Sequence, residues 1–325
     1  MSLLKIAVFT SGGDSPGMNA ALRAVVRTSI YNKLEVAGIY RGFEGMIEGD
    51  FVDLDERSVA RIIDRGGTII KSARSEEFRT KEGRLKAYEQ IKKAKIDAII
   101  GIGGDGTFTA LSIFQDEFNV PVIGLPGTID NDIFGTDYTI GFDTASNTAM
   151  EAIDKIRDTA TSHNRLFFIE LMGRDAGFLA LRCAIASGAK AVMLPETHME
   201  PSELLAAIKK GAKMRKTSNI VIVGEGNKNG NAQELAQMIR DMEPSFDTKV
   251  SVLGHIQRGG APSAYDRVLA SRLGVASVEA LIRGEKGVMV GILNEKVAFT
   301  PLNEAIKEHH MICDELLHVI DVLSI

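Results

Sequence analysis

The hydrophobic positions of this chain fall into two alternating patterns. Short apolar stretches occupy residues 3–10, 36–40, 66–70, 96–102 and 120–125, each leading into a loop. They read as strands, and 120–125 as a parallel strand buried on both faces. Between or after them lie segments with apolar residues at helical spacing. In 18–31 these are Met18, Leu22, Val25, Val26 and Ile30; similar patterns run to Phe118 and across 144–161. Asn19 or a neighbour is placed to cap the first helix.

The alternation restarts after His163. Strands at 165–171, 191–194, 219–223 and 249–253 are interleaved with helical patterns at 176–187, 201–215, 232–242 and 263–282. Pro201 opens one of these helices. Residues 288–292 and 296–299 predict a final strand pair. Regular exchange of strand and helix predicts an α/β fold, with mainly parallel sheets flanked by helices. No low-complexity linker separates the halves, which predicts two closely associated lobes with the chain crossing between them.

The length of 325 residues suits two domains. A 45% hydrophobic and 25% charged composition is that of a globular protein, and a net charge of -5 argues against general nucleic-acid binding. The two cysteines, Cys183 and Cys313, lack metal-ligand or CxxC spacing and read as reduced thiols of a cytoplasmic protein. The first residues lack the basic start and cleavage site of a signal peptide, and no apolar run has the length of a membrane span.

Three loops that leave strand ends carry the candidate chemistry. The first is Ser11-Gly12-Gly13-Asp14, whose bare amides could cradle a phosphate where the next helix begins. The second is Gly101-Ile102-Gly103-Gly104-Asp105-Gly106, a formal GxGxxG. Asp105 inside that loop would repel a pyrophosphate unless a cation lay between them. No acidic residue ends the next strand to hold a ribose. A Mg²⁺ shared between Asp105 and nucleotide phosphates fits better than a dinucleotide. There is no Walker A pattern. The third loop is Pro126-Gly127-Thr128-Ile129-Asp130-Asn131-Asp132, with two carboxylates that each raise the other's proton affinity unless cations compensate.

These loops, together with Met172-Gly173-Arg174 and Gly254-His255-Ile256-Gln257-Arg258-Gly259-Gly260, occur in an order that closely resembles bacterial 6-phosphofructokinases. The likeness covers nearly the whole chain and loosens at the C-terminus. It implies two Rossmann-like domains, a homotetramer, and transfer of the ATP γ-phosphoryl group to fructose 6-phosphate. The implied larger, ATP-binding domain is 1–140 plus 254–303. The smaller, sugar-phosphate domain is 141–253 plus 304–325. Asp130 resembles the base that takes the sugar's 1-hydroxyl proton. Thr128 and Arg174 resemble contacts to the transferring phosphoryl. Asp105 resembles the Mg²⁺ carboxylate, with Asp132 nearby. Gly13, Arg74, Ser75, Gly104, Gly106 and Thr107 resemble the ATP site. Ile129, Met172, Gly173, Glu225, His255 and Arg258 resemble the sugar-phosphate site. Arg165 and Lys249 match positions that reach that phosphate from a neighbouring subunit.

Several positions bear on the branch of the family. Pyrophosphate-dependent relatives carry aspartate where this chain has Gly106 and lysine where it has Gly127, so both positions resemble the ATP-using branch. Lys249 stands for a usual arginine, keeps the charge and loses the bidentate fork. Arg23, Arg27, Arg157 and Lys216 match ligands of an effector phosphate, from a nucleotide or phosphoenolpyruvate. Glu56, Lys190 and Met214 depart from that site's pattern, which predicts weakened or altered regulation. Three alternatives stand beside the ATP-dependent kinase. One is a pyrophosphate-dependent relative. A second is an NAD(P)-dependent oxidoreductase built on the 101–106 loop. The third is a non-catalytic regulatory homologue, against which Asp105, Thr128, Asp130, Asp132 and Arg174 together argue.

Overall fold

A computed structural model of the protein describes residues 3–163, 165–213, 220–307 and 312–323. The chain divides into two compact units. The first comprises Met1–Thr128, Ile133–Thr144 and Arg258–His310; the second comprises Ile129–Asp132, Ala145–Gln257 and Met311–Ile325.

Unit one is built from β1 (Lys5–Thr10), α1 (Met18–Tyr31), β2 (Glu35–Ile39), α2 (Gly42–Glu48), β3 (Phe51–Asp53), α3 (Lys81–Lys93), β4 (Ala98–Gly103), α4 (Asp105–Phe118), β5 (Val122–Thr128) and β6 (Ile140–Gly141). Helix α5 (Phe142–His163) begins in this unit and continues into the second. After the second unit the chain returns. Its sheet runs in the order β12-β11-β5-β4-β1-β2-β3, with β6 beside β5, and closes with the hairpin β11 (Val288–Leu293) and β12 (Lys296–Pro301). All neighbours are parallel except β12 on β11 and β3 on β2.

The continuous apolar runs are explained by burial on both faces of this sheet. In β1, Ile6 and Val8 join a core with α1 and with α9 (Ala264–Ile282), while Ala7 and Phe9 join one with Phe43, Phe108, Leu111 and Phe114. Ile99 and Ile100 of β4 split in the same way.

Unit two carries a smaller, parallel sheet in the order β10-β7-β9-β8, from β7 (Leu166–Leu171), β8 (Ala191–Met193), β9 (Ile220–Gly224) and β10 (Thr248–Val252). Its helices are α6 (Phe178–Ser187), α7 (Pro201–Lys213) and α8 (Ala232–Met242). The short α10 (Leu302–Ala305) lies in unit one, and α11 (Asp314–Leu323) lies in unit two. Asn231 caps α8 by accepting from the amides of Gln233 and Glu234, and the Glu234 carboxylate returns a bond to the Asn231 amide.

The structure corrects the strand expected at 66–70. That segment is turns, and Ile70 O accepts a bond from Arg41 N at 2.9 Å without forming a ladder. Two glycines and only three apolar or β-branched residues give too little chain to pair. Asn19 does not cap α1 either. Gly17 holds the cap position at φ 108 with no side-chain cap, and Asn19 is turned inward. Its amide donates to Arg65 O and Gly66 O, and its carbonyl accepts from Ile69 N. This asparagine therefore ties down the segment that was expected to pair. Elements α2, β3, α3 and α11 were not anticipated. No helix is long and apolar enough to cross a membrane among the described residues.

Candidate active site

In unit one the neighbouring strands β1, β4 and β5 lead at their carboxyl ends into the three loops, of which the third passes at Ile129 into unit two. Thr10 of β1 is in register with Ile102 of β4, and Gly103 of β4 with Pro126 of β5. The strand order reverses between β1 and β4, where β2 lies to one side and β5 to the other. Open α/β sheets bind ligands outside the carboxyl ends of strands at such a switch point. The first two loops are stitched together: Ser11 N donates to Ile102 O at 2.9 Å. A methyl group on Gly103 would lie 2.3 Å from Thr107 Oγ1 and 2.7 Å from Ser11 O. Gly12 takes φ 80, which favours glycine.

Gly104 leads into α4 in an extended conformation with no side-chain cap, and Asp105 opens the helix half-buried. The first turn of α4 thus has no capping side chain, and Thr107 N donates to Gly104 O at 2.9 Å. Gly106 is exposed, and a Cβ built on it meets nothing within 4 Å. Its φ needs no glycine. Neither packing nor backbone therefore explains a glycine at 106. Gly127 differs: its Cβ would press against Ile102 Cγ2 at 3.0 Å and Met18 Cε at 3.2 Å. Glycine at 127 has a packing reason of its own.

The segment that carries Arg74 and Ser75 is tied to the same loops. Thr10 Oγ1 donates to Lys71 O at 2.9 Å, and Ser72 Oγ donates to Gly12 O at 3.1 Å. Ser75 Oγ accepts from Phe78 N at 3.3 Å and so also closes the short 3-10 turn Glu77–Arg79. Arg258, grouped with the sugar-phosphate residues in the sequence, lies against the first loop. Its Nη1 donates to Asp14 O at 3.2 Å, and a Cβ on Gly13 would be 2.2 Å from that nitrogen. Thr128 ends β5 buried, with its carbonyl accepting from Thr139 Oγ1 at 2.7 Å.

A carboxylate not singled out in the sequence supports this strand end. Asp266 of α9 is fully buried and accepts from Gly141 N at 2.9 Å, Thr144 N at 2.8 Å and Thr144 Oγ1 at 2.5 Å. Gly141 is in turn the β6 partner of Thr128. Burial pushes the Asp266 carboxyl above its ordinary range, against the pull of its three donors. In the sequence it looked like one more charge in a helix.

In unit two, Ile129, Asp130 and Asn131 are buried and Asp132 is half-buried. Asn131 sits at φ 56 and turns the chain between the carboxylates, which thus occupy different environments. The loop with Met172, Gly173 and Arg174 leaves β7. It is held by Glu225, whose Oε2 accepts from Gly173 N at 3.3 Å and Arg174 N at 3.1 Å. Gly173 at φ 147 and Arg174 at φ 52 are both left-handed. Glu225, expected beside the sugar, therefore also anchors the loop that presents Arg174. His255 is exposed in the 3-10 turn Gly254–Arg258.

Two expected phosphate ligands are not brought to this end of the sheet. Arg165 precedes β7 and Lys249 is the second residue of β10, so both lie at the amino edge of the sheet whose carboxyl edge carries Met172–Arg174 after β7 and Glu225 after β9. Six to seven residues at about 3.3 Å each put roughly 20 Å between the two sets. Of the expected effector groups, Arg23 and Arg27 share a face of α1 in unit one. Burial and the neighbouring Arg27 pull the Arg23 guanidinium below its ordinary value. Arg157 Nη2 in unit two donates to Ser187 O, and Lys190 is buried. Lys216 and Met214 lie outside the described residues.

Fold and loops define an α/β protein with glycine- and aspartate-bearing loops at the carboxyl edge of a mainly parallel sheet. The chain belongs to the phosphofructokinase family, whose profile matches residues 5–281. It is 53% identical over 320 residues to the ATP-dependent 6-phosphofructokinase of Cytophaga hutchinsonii, covering 98% of each chain. It is 53% identical over 321 residues to ATP-dependent 6-phosphofructokinase 1 of Thermus thermophilus, covering 99% of each. Among solved structures it resembles phosphofructokinase from Saccharomyces cerevisiae, with a TM-score of 0.89 and 36% identity; it covers 47% of that chain. The pyrophosphate-dependent phosphofructokinase of Nitrosospira multiformis shares the fold, with a TM-score of 0.88 at 20% identity.

Proposed function

We propose that this protein transfers the γ-phosphoryl group of ATP to the 1-hydroxyl of fructose 6-phosphate. The observation that carries this reading is the empty space over Gly106, at an uncapped helix start beside the Gly12 turn. That space accommodates an α-phosphate, which ATP has and pyrophosphate lacks. It favours ATP over pyrophosphate as donor. Asp105 within the loop disfavours a dinucleotide.

In this reading unit one holds ATP through Gly13, Arg74, Ser75, Gly104, Gly106 and Thr107, and unit two holds the sugar phosphate. Buried Asp130 accepts the 1-hydroxyl proton as the oxygen bonds to phosphorus. The loose transition state of phosphoryl transfer asks for alignment and charge neutralisation more than for a strong base. Thr128 donates to the transferring group, and Arg174 neutralises it from a loop whose backbone Glu225 restrains. Among the described residues no cluster of three or more Asp, Glu, His or Cys forms a cation cage. A single half-buried Asp105 fits Mg²⁺ completed by phosphate oxygens. An ion held there by Asp105 would supply positive charge against the transferring phosphate.

Arg165 and Lys249 complete the sugar-phosphate site of a second copy. Their place at the amino ends of the strands, away from Met172–Arg174, supports this, and the family resemblance implies a homotetramer. Arg23, Arg27, Arg157 and Lys216 bind an effector phosphate, with Glu56, Lys190 and Met214 weakening a nucleotide–Mg²⁺ complex there. The deciding experiment is a coupled assay of ADP release with fructose 6-phosphate, repeated with pyrophosphate in place of ATP. ADP formation that depends on the sugar phosphate, with no turnover on pyrophosphate, is the expected result. Turnover on pyrophosphate alone, or none with either donor, overturns the reading.

A further inference from the structure

Arg165 and Lys249 already have an anion between them. Asp247 Oδ2 accepts from Arg165 Nε at 3.0 Å, and Asp247 Oδ1 pairs with Lys249 Nζ at 2.7 Å, so each carboxylate oxygen serves one cation. The three residues are set by strand geometry. Asp247 O accepts from Leu166 N at 3.0 Å, Thr248 is in register with Leu166, and Arg165 N is tied to Ala160 O at 3.1 Å. Asp247 and Lys249 flank buried Thr248 and so emerge on the same side of the edge strand β10. The cluster is open to solvent, with side-chain exposures of 35% for Arg165, 52% for Asp247 and 44% for Lys249. The two cations hold the Asp247 carboxyl below its ordinary range, Lys249 contributing most.

We propose that Asp247 is a resident anion which the phosphate of the sugar substrate must displace from Arg165 and Lys249, so that Asp247 sets the affinity for that substrate. The proposal rests on the reading above that these two cations receive the sugar's phosphate. The exchange is feasible on charge grounds. A phosphate dianion carries more charge than a carboxylate and offers three acceptor oxygens. An exposed ion pair is weak and yields readily to a competing ion. The incumbent keeps two like charges from facing each other while the site is empty, and it lowers the apparent affinity by the free energy of the contacts that are lost. Lys249 is the weaker holder of a carboxylate, as a single ammonium without a fork.

The test is Asp247→Asn in the full chain, with Asp247→Ser as a second variant should the first fold poorly. The expected KM for fructose 6-phosphate falls about three- to tenfold, from two exposed ion pairs, with the KM for ATP unchanged. The difference from the parent shrinks as salt is added. Asp241→Asn is the control for net charge, since that exposed carboxylate accepts from Gln237 on α8. Binding of inorganic phosphate, read by calorimetry without turnover, should tighten in Asp247→Asn and not in Asp241→Asn. An unchanged or raised KM together with unchanged phosphate binding in a folded variant overturns the proposal. So does an equal effect of the two substitutions. Tighter phosphate binding in a protein that never phosphorylates fructose 6-phosphate upholds the resident anion and removes the substrate assignment instead.

Discussion

Replacing Gly106 with aspartate separates ligand binding from folding at a single atom position. The site accepts a Cβ without contact within 4 Å, and the backbone is already that of the first turn of α4. Aspartate is a slightly better helix residue than glycine, and a carboxylate near a helix start gains about 0.3–1 kcal/mol, partly offset here by Asp105. The melting temperature should therefore stay level or rise slightly. Nucleotide binding should respond in the other direction. A carboxylate about 5 Å from an α-phosphate, at an effective dielectric of about 20, is repelled by roughly 3 kcal/mol. That corresponds to a loss of about a hundredfold in kcat/KM for ATP. Steady-state kinetics of the parent, Gly106→Ala, Gly106→Asn and Gly106→Asp distinguish the causes. Alanine should be nearly silent, asparagine should report crowding alone, and aspartate should add the repulsion, diminishing with salt. A folded Gly106→Asp with parental ATP kinetics refutes the placement of the nucleotide over this glycine. The same substitution at Gly127 is a poorer test, because the Ile102 and Met18 contacts make misfolding an equal explanation.

Other predictions concern stability and reactivity. Asn231→Ala should lower unfolding stability by about 1 kcal/mol through loss of the α8 cap, measured by denaturant unfolding; a loss indistinguishable from zero discounts the capping box. Cys183 is buried with its thiol pushed up to about 12, while Cys313 is exposed, so a thiol reagent at neutral pH should titrate one cysteine in the native chain and both after unfolding. Rapid native modification of Cys183 contradicts the packing around α6. Asp266 binds its proton more tightly folded than unfolded, so its contribution is fully present below the unfolded value and is lost as pH rises through the raised folded one. The melting temperature of the parent minus that of Asp266→Asn should fall as pH increases across the acid range, and a difference that grows with pH contradicts the raised carboxyl. With the competing carboxylate removed by Asp247→Asn, adding Lys249→Arg should lower the KM for fructose 6-phosphate by restoring a fork, and a raised or unchanged KM in that background argues that Lys249 does not meet that phosphate.

The alternation of apolar runs with helical spacing was enough to determine an α/β fold with two mainly parallel sheets. Runs such as 98–102 and 122–125 are apolar throughout because both faces of their sheet are covered, and that requirement is local and readable. The glycine-aspartate loops were readable for the same reason: their chemistry lies in consecutive residues. Local pattern failed where the burying surface was small or distant. Helix α3 buries only Gly83, Ala87 and Ile91, too few to mark a helical stripe. The 66–70 segment is held by Asn19, some fifty residues earlier, instead of by a neighbouring strand. The order of the strands, which sets the carboxyl ends of β1, β4 and β5 side by side, depends on pairings across the chain that no local window contains. Only the tertiary structure distinguished Gly106, where an added Cβ meets nothing within 4 Å, from Gly127, where space is taken by Ile102 and Met18. It also supplied Asp247 and Asp266, whose partners are 82 residues (Arg165) and 122 residues (Thr144) away in sequence. A charge is legible in a sequence, but what it faces is decided by folding.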